Sequence, residues 1–475
     1  MSYLRINNNP QVNKSFSTTP VCSTCVIPPM PENRRTEKEL SFKANTTPTY
    51  NIRTSLTTED EKQKYSIVAS SLDITGRKEL DLLLKSGILL NTKSNDKSST
   101  LDNLYKIITT PRAAGLTPQT VLKETVSTIA NPFKITQNFG NIPNVYKNEI
   151  LQKTHPNSKN PKDVINSQTI NVDYSSACVS ASIEFNLAKQ TPAEFARFAE
   201  GLTSQKIAVD KTIDLKNLTD KTLDSVYLLN LFKVPYEMKD FDKAKLTLSP
   251  DKNAIIRAQI QNHDKDSQER SLIDVLMQST FMNVGSQQTY DSLTDLRGGD
   301  FNYDDKGLIE FEKTFTESIV QNRNKMSVTY QELDENGKIT GYTTDFNTMK
   351  KHILDSLAIG QNVIVGYTYF IKNKDLQAPD PEKSPNEEII TGHEITIIGA
   401  AQDKNGKLIF ICNDTDDNNP NPITYTEDYL LPKIHHAGLP KEVLEEDPQY
   451  KEVWQEGLEL YKEAKNNNNA SQQVA

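Results

Sequence analysis

Cys178, His393 and the neighbours Asn413 and Asp414 are the residues whose types and order in this chain can carry chemistry. Ser175 or Ser176 is placed to cap a helix, and Ala177, Ala181, Ile183, Leu187 and Ala188 continue it with apolar residues at roughly helical spacing. Cys178 therefore falls in or beside the first turn. Unpaired N–H groups and the positive end of the helix dipole there favour a thiolate, the nucleophilic form of cysteine. A thiolate needs a proton acceptor, and His393 opens an apolar run, Glu394 to Ala401, that reads as a buried strand. The segment Asp403 to Lys407 carries the Asn-Gly dipeptide of a hairpin turn. A second apolar strand, Leu408 to Cys412, follows it and ends on Asn413 and Asp414. This hairpin returns Asn413 or Asp414 to the neighbourhood of His393, where a side chain can fix the tautomer and orientation of the imidazole. Alternation sends one of the two inward and the other outward. Asn413, directly after the apolar strand, is preferred, with Asp414 as the alternative.

A cysteine at a helix start, a distant Gly-His opening a strand, a glycine turn and a strand ending on Asn or Asp resemble, in that order, the papain-like cysteine peptidase superfamily. GHEITIIGA with IFICND is similar to its histidine-bearing and Asn/Asp-bearing strands. DSLAIGQNVIVGYTYF, Asp355 to Phe370, is similar to the helix, glycine turn and strand that precede the histidine in many members. LMQSTFMNVGSQQTYDSLTDLRGG, Leu276 to Gly299, resembles the region of calpain-like members where a helix leads through a Tyr to a Leu-x-Gly-Gly loop. The resemblance spans residues 168 to 432. It implies an α+β fold in which a helical lobe with Cys178 faces an antiparallel sheet or barrel lobe with His393. It also implies a cysteine peptidase hydrolysing a peptide or isopeptide bond of a polypeptide substrate. Cys178 would attack the carbonyl, His393 would hold and return the proton, Asn413 or Asp414 would orient the ring, and neither metal nor organic cofactor is called for.

The sequence departs from that pattern in two places. The nucleophile of papain lies in a glycine-rich run with tryptophan, whereas Cys178 is followed by Val179-Ser180-Ala181-Ser182. The family's oxyanion-hole glutamine stands about six residues before the cysteine, where this chain has Val172, so Gln168 and Asn171 are the nearest amides; the backbone N–H of Cys178 is the second donor. Two other readings use the same residues or the same fold: an acyltransferase of transglutaminase type, and a papain-fold binding or scaffold module without catalysis.

The elements that must position these residues sit in a chain of 475 residues, long enough for two or three compact units. A formal net charge of −9 argues against a nucleic-acid partner, which calls for a basic face. The mean hydropathy is −0.60. The first twenty residues are polar, without the apolar core of a signal peptide, and no run approaches the roughly 18 apolar residues of a membrane span. A soluble, cytoplasmic chain without a membrane partner is expected, with its oligomeric state left open. The four cysteines, Cys22, Cys25, Cys178 and Cys412, form no disulfide framework. Cys22 and Cys25 lack further metal ligands nearby, and Cys412 reads as core.

Residues 1–54 have too little apolar content for a core. Residues 55–150 carry four helix signals: one capped by Thr57 or Thr58, Thr75 to Leu89, Leu101 to Ile108, and one capped by Thr117 with Pro118 at its first position. A polar linker, Thr154 to Asn166, precedes the peptidase-like region, 166–435. There Thr191, Pro192 and Glu194 read as a capping box before an apolar stripe of Phe195, Phe198 and Leu202. A charged helix and polar tail close the chain, 436–475. Asp300, Asp304 and Asp305 lack EF-hand spacing, and His435-His436 lacks metal-ligand spacing to any other histidine.

Overall fold

Four cap residues start the four N-terminal helices. Thr58 and Glu61 close a capping box on α1 (Glu59–Ser70), Asp73 caps α2 (Ile74–Lys85), Ser99 with Asp102 boxes α3 (Thr100–Thr109), and Thr117 caps α4 (Pro118–Ala130), with Pro118 in its first turn. The computed structural model describes residues 52–138, 177–215, 225–240, 243–260, 270–299 without 294, 307–334, 339–370, 389–416 without 405, and 421–450 without 446 and 449, besides 459 and 463. Cys22 and Cys25, the linker Thr154 to Asn166, Gln168, Asn171, Asp300, Asp304, Asp305 and the polar tail lie outside them.

The cysteine-bearing helix α5 (Cys178–Gln190) is buried on every side from Val179 to Ala188, although a solvent-facing helix would tolerate its Ser, Glu and Asn better. Three of its polar side chains find partners, while Ser182 Oγ is buried without one. Ser180 Oγ donates to the Ala177 carbonyl (2.9 Å), Glu184 accepts from Gln278 Nε2 (3.0 Å), and Asn186 accepts from Asn362 Nδ2 (2.9 Å). The expected serine cap is corrected here: the N-cap position falls on Ala177, which has no capping side chain. Helix α6 (Pro192–Leu202) corrects the second expected cap. Thr191 holds the N-cap position with φ −136° and ψ 62°, and its hydroxyl turns back to the Leu187 carbonyl. Glu194 is drawn instead to Arg197 (2.7 Å) and Lys211 (2.9 Å) and accepts the Asn95 N–H (2.8 Å), because two buried cations offer more than one helix-end amide.

Strands β1 (Val209–Asp214), β2 (Tyr236–Asp240) and β3 (Lys243–Leu248) form a small antiparallel sheet in the order β1-β3-β2, with α7 (Ser225–Leu231) within the same stretch of chain. Helices α8 (Ala254–Ile260), α9 (Leu272–Gly285) and α10 (Glu310–Gln321) follow; α9 is wholly buried. One apolar core runs from Val68 in α1 through α5, α6 and α9 to Val320 in α10, so the N-terminal helices and the cysteine helix share an interior.

The rest of the chain builds β4 (Lys325–Thr329), the hairpin β5 (Gln331–Leu333) and β6 (Ile339–Tyr342), α11 (Phe346–Ala358), β7 (Val363–Phe370), β8 (Ile389–Gln402), β9 (Leu408–Asn413), β10 (Ile423–Thr426), α12 (Glu427–Leu430), β11 (Ile434–Pro440) and α13 (Lys441–Leu444). Six of these strands make one antiparallel sheet, β10-β9-β8-β7-β11-β4. A second core lies between that sheet and α11, formed by Met349, Ile353, Val365, Tyr367, Ile395 and Phe410 among others. The fold is thus α+β with antiparallel sheets and a helical N-terminal region. No helix among the described residues is long and apolar enough to cross a membrane.

Burial opposes the charge on Glu194, yet Lys211 and Arg197 outweigh it and hold the carboxyl down at about 2. Replacing it strands two buried cations. Glu194→Ala is expected to lower the unfolding free energy by about 3–5 kcal/mol at neutral pH in urea titrations. Because the folded pKa lies below the ordinary 4.5, the loss is full above that value and shrinks as pH falls toward 2.

Candidate active site

His393 sits on β8 opposite Tyr367 of β7, whose ring meets the imidazole edge to face at 5.8 Å. The imidazole is buried, and its Nε2 lies 2.7 Å from Asp414 Oδ1. The side chain of Cys178 lies beside the same ring, close enough to raise its pKa. Cys178 is half-buried at the first position of α5, whose leading N–H groups have no partner within the helix. Residues of two segments more than two hundred positions apart therefore come together.

Strand register explains why Asp414 rather than Asn413 takes the ring. Nearest the turn, Gln402 faces Leu408 and Gly399 faces Ile411. The pairing then slips by one residue at Ile398, so that Ile397 faces Cys412 and Thr396 faces Asn413. Directly opposite residues share a face. Asn413 accordingly lies with Thr396 and Ile364, and Ile364 belongs to the helical core. Asp414 follows Cys412 and Phe410 on the face of Ile397, Ile395 and His393. The Asn413 amide nitrogen is buried without a hydrogen-bond partner.

Burial pulls the His393 pKa down, but the charge of Asp414, its hydrogen bond and the Cys178 side chain overcome this and hold the ring well above 6.5. The Asp414 carboxylate is itself fixed by the Asp416 N–H at 3.0 Å. Burial and the neighbouring Asp414 charge raise Asp416 above the usual carboxylate range, against the pull of His393 and Gln137. Burial and Asp414 drive the Cys412 thiol far up, as suits a core residue.

Sequence reasoning missed a clamp on this loop. The Gln137 N–H donates to the Thr415 carbonyl (3.0 Å), Thr136 Oγ1 donates to the same oxygen (3.0 Å), and Thr415 Oγ1 donates to Gln137 Oε1 (3.0 Å). Gln278 of α9 then donates to the Thr136 carbonyl at 2.9 Å and ties this segment to the helical core. No local pattern in Thr136-Gln137-Asn138 announces contacts some 280 positions away. The Cys178 N–H lies within the described residues, whereas Gln168 and Asn171 lie outside them. Compared with known proteins, the chain matches no family model, no curated protein and no solved structure.

A folded pKa above the ordinary value means that the stability His393 contributes is fully present below pH 6.5 and is lost as pH rises through the raised value. NMR titration of the His393 ring is expected to show Asp414→Asn lowering that pKa by about 1–3 units, with Asn413→Ala leaving it within a few tenths. An equal response to both substitutions would refute the register argument.

Proposed function

We propose that this chain is a cysteine peptidase of the papain-like superfamily, hydrolysing peptide or isopeptide bonds in a polypeptide. One observation carries the reading: a half-buried thiol at a helix start lies beside an imidazole that a buried carboxylate, 2.7 Å away, holds toward its protonated form. The arrangement of a cysteine-bearing helix against an antiparallel sheet with His393 and Asp414 agrees with the papain-like architecture.

In the reaction, the Cys178 sulfur attacks the scissile carbonyl carbon, and the electron pair moves onto oxygen beside the Cys178 N–H. The tetrahedral centre collapses as the carbon–nitrogen bond breaks, and His393 gives its proton to the departing amine. A thioester remains on Cys178. Water then attacks it while the neutral His393 takes a proton, the carboxylic acid leaves, and sulfur and imidazole regain their starting states. Asp414 keeps the ring oriented and stabilises the imidazolium throughout.

Two measurements test the proposal. At neutral pH, iodoacetamide is expected to label Cys178 rapidly in the wild type and at least tenfold more slowly in His393→Ala. In assays on unfolded protein substrates, Cys178→Ala should abolish cleavage and His393→Ala should lower kcat/KM by about 10²–10⁴-fold. Cleavage should persist through neutral pH and decline as pH rises through the raised His393 value, with Asp414→Asn moving that limb to lower pH. Slow labelling indifferent to His393, with no cleavage, would sink the peptidase reading. Transfer to an added amine at the expense of hydrolysis would favour the acyltransferase.

A further inference from the structure

On the sheet face opposite His393, a second cluster of donor groups lies where β11 meets α10. We propose that Glu310, His435 and His436 bind a divalent transition-metal cation of the zinc class, through one carboxylate oxygen and two imidazole nitrogens. Their candidate donor atoms all lie within 4.8 Å of one another.

Consecutive residues of a regular strand point to opposite faces. Here the pairing of β11 with β7 shifts between Ile434 and His436, and this bulge lets neighbouring imidazoles turn toward one point. Their Nδ1 atoms stand 2.8 Å apart, with the ring planes at 89°. Donors placed about 2.0–2.2 Å from a tetrahedral zinc are themselves separated by roughly 3.3 Å, so side-chain shifts on the order of 1 Å bring the set to coordinating geometry. Two imidazoles and a carboxylate suit zinc, which commonly takes three protein ligands with a water in the fourth position. Calcium and magnesium prefer all-oxygen cages, and copper(I) prefers sulfur.

The surroundings resemble the outer shell that metal-bound histidines use. His436 Nε2 lies 3.0 Å from Glu394 Oε1, an ion-pair contact whose alignment falls short of a straight hydrogen bond. Glu394 is itself held by Lys313 Nζ at 3.2 Å. Glu310 Oε1 accepts from Ser327 Oγ (2.8 Å) and Thr329 Oγ1 (2.5 Å), which fixes the carboxylate on β4. Gly366 of β7 leaves the necessary room: a Cβ there would lie 2.7 Å from both Glu394 Oε1 and His436 Nε2. Glu310 and His435 are only half-buried, which leaves a way in for an ion.

The full chain, stripped with a chelator, is titrated with zinc and with cobalt(II). One equivalent of zinc should bind and raise Tm by several degrees. Cobalt(II) should give visible d–d bands of a tetrahedral site without the near-ultraviolet thiolate charge-transfer band that Cys178, or Cys22 with Cys25, would produce. Glu310→Gln and His435→Ala should each weaken binding by about 100-fold or more, and Glu394→Gln by about 10–100-fold. Far-UV circular dichroism of the stripped variants establishes that they are folded, and His435→Gln replaces any that is not. Absence of a bound equivalent, a thiolate band, or affinity unchanged by both first substitutions overturns the proposal. None of these readouts involves peptide cleavage, and Cys178→Ala should retain the metal, so this inference and the peptidase reading stand or fall separately.

Discussion

A one-residue slip in the pairing of β8 with β9 decides the chemistry of the candidate active site. Continued without interruption from the turn, the register would place Asn413 opposite Ile397 and hence on the imidazole's face. The extra residue at Ile398 advances β9 by one, so the carboxylate of Asp414 arrives there instead. An amide and a carboxylate of similar shape do different work beside a histidine. The amide orients the ring; the carboxylate orients it and also stabilises its charge. The raised His393 pKa thus originates in a backbone irregularity five residues away.

That carboxylate is held from both sides. On its own loop, the Asp416 N–H fixes one oxygen. Across the molecule, Thr136 and Gln137 grip Thr415 and are gripped in turn by Gln278. The N-terminal helices share their core with α5, so the segment that follows α4 connects the helix bearing Cys178 with the loop bearing Asp414. Two elements on different cores keep hydrogen-bond geometry only if something spans them. These contacts provide such a span, and burial makes them stiff, since each broken bond would leave an unpaired polar group in a dry interior.

Much of this was legible in the sequence. The cap residues Thr58 and Thr117 announce their helices, because a capping side chain and the amide it serves lie within a few positions. The apolar runs flanking the glycine turn give β8 and β9, and the order of cysteine, histidine and acid brings together the three residues that meet. What could not be read depends on distant partners. The box expected of Thr191 and Glu194 yields to Arg197 and Lys211, and Lys211 lies 17 positions on from Glu194. The preference for Asn413 rests on its place directly after the apolar strand, and the bulge that turns Asp414 to the imidazole instead leaves no mark in composition beyond the neighbouring Gly399. His435-His436, set aside for want of a spaced histidine, gains Glu310 from 125 positions upstream.

The two sheet faces also show how one strand can serve two sets of charges. His393 and Glu394 are neighbours on β8 and alternate across it, the first toward Asp414 and Cys178, the second toward Lys313 and His436. Each charge is compensated on its own face. If a single face carried both, the Glu394 carboxylate would compete with Asp414 for the imidazolium, and Lys313 would oppose the proton on His393. Alternation separates them by the thickness of the sheet. Gly366, opposite Glu394, makes that arrangement possible by leaving the space that His436 and Glu394 fill. A side chain at that position would push His436 and Glu394 off their present positions, so the absence of a Cβ on β7 is part of what lets the strand bearing His393 pass through a buried, charged interface.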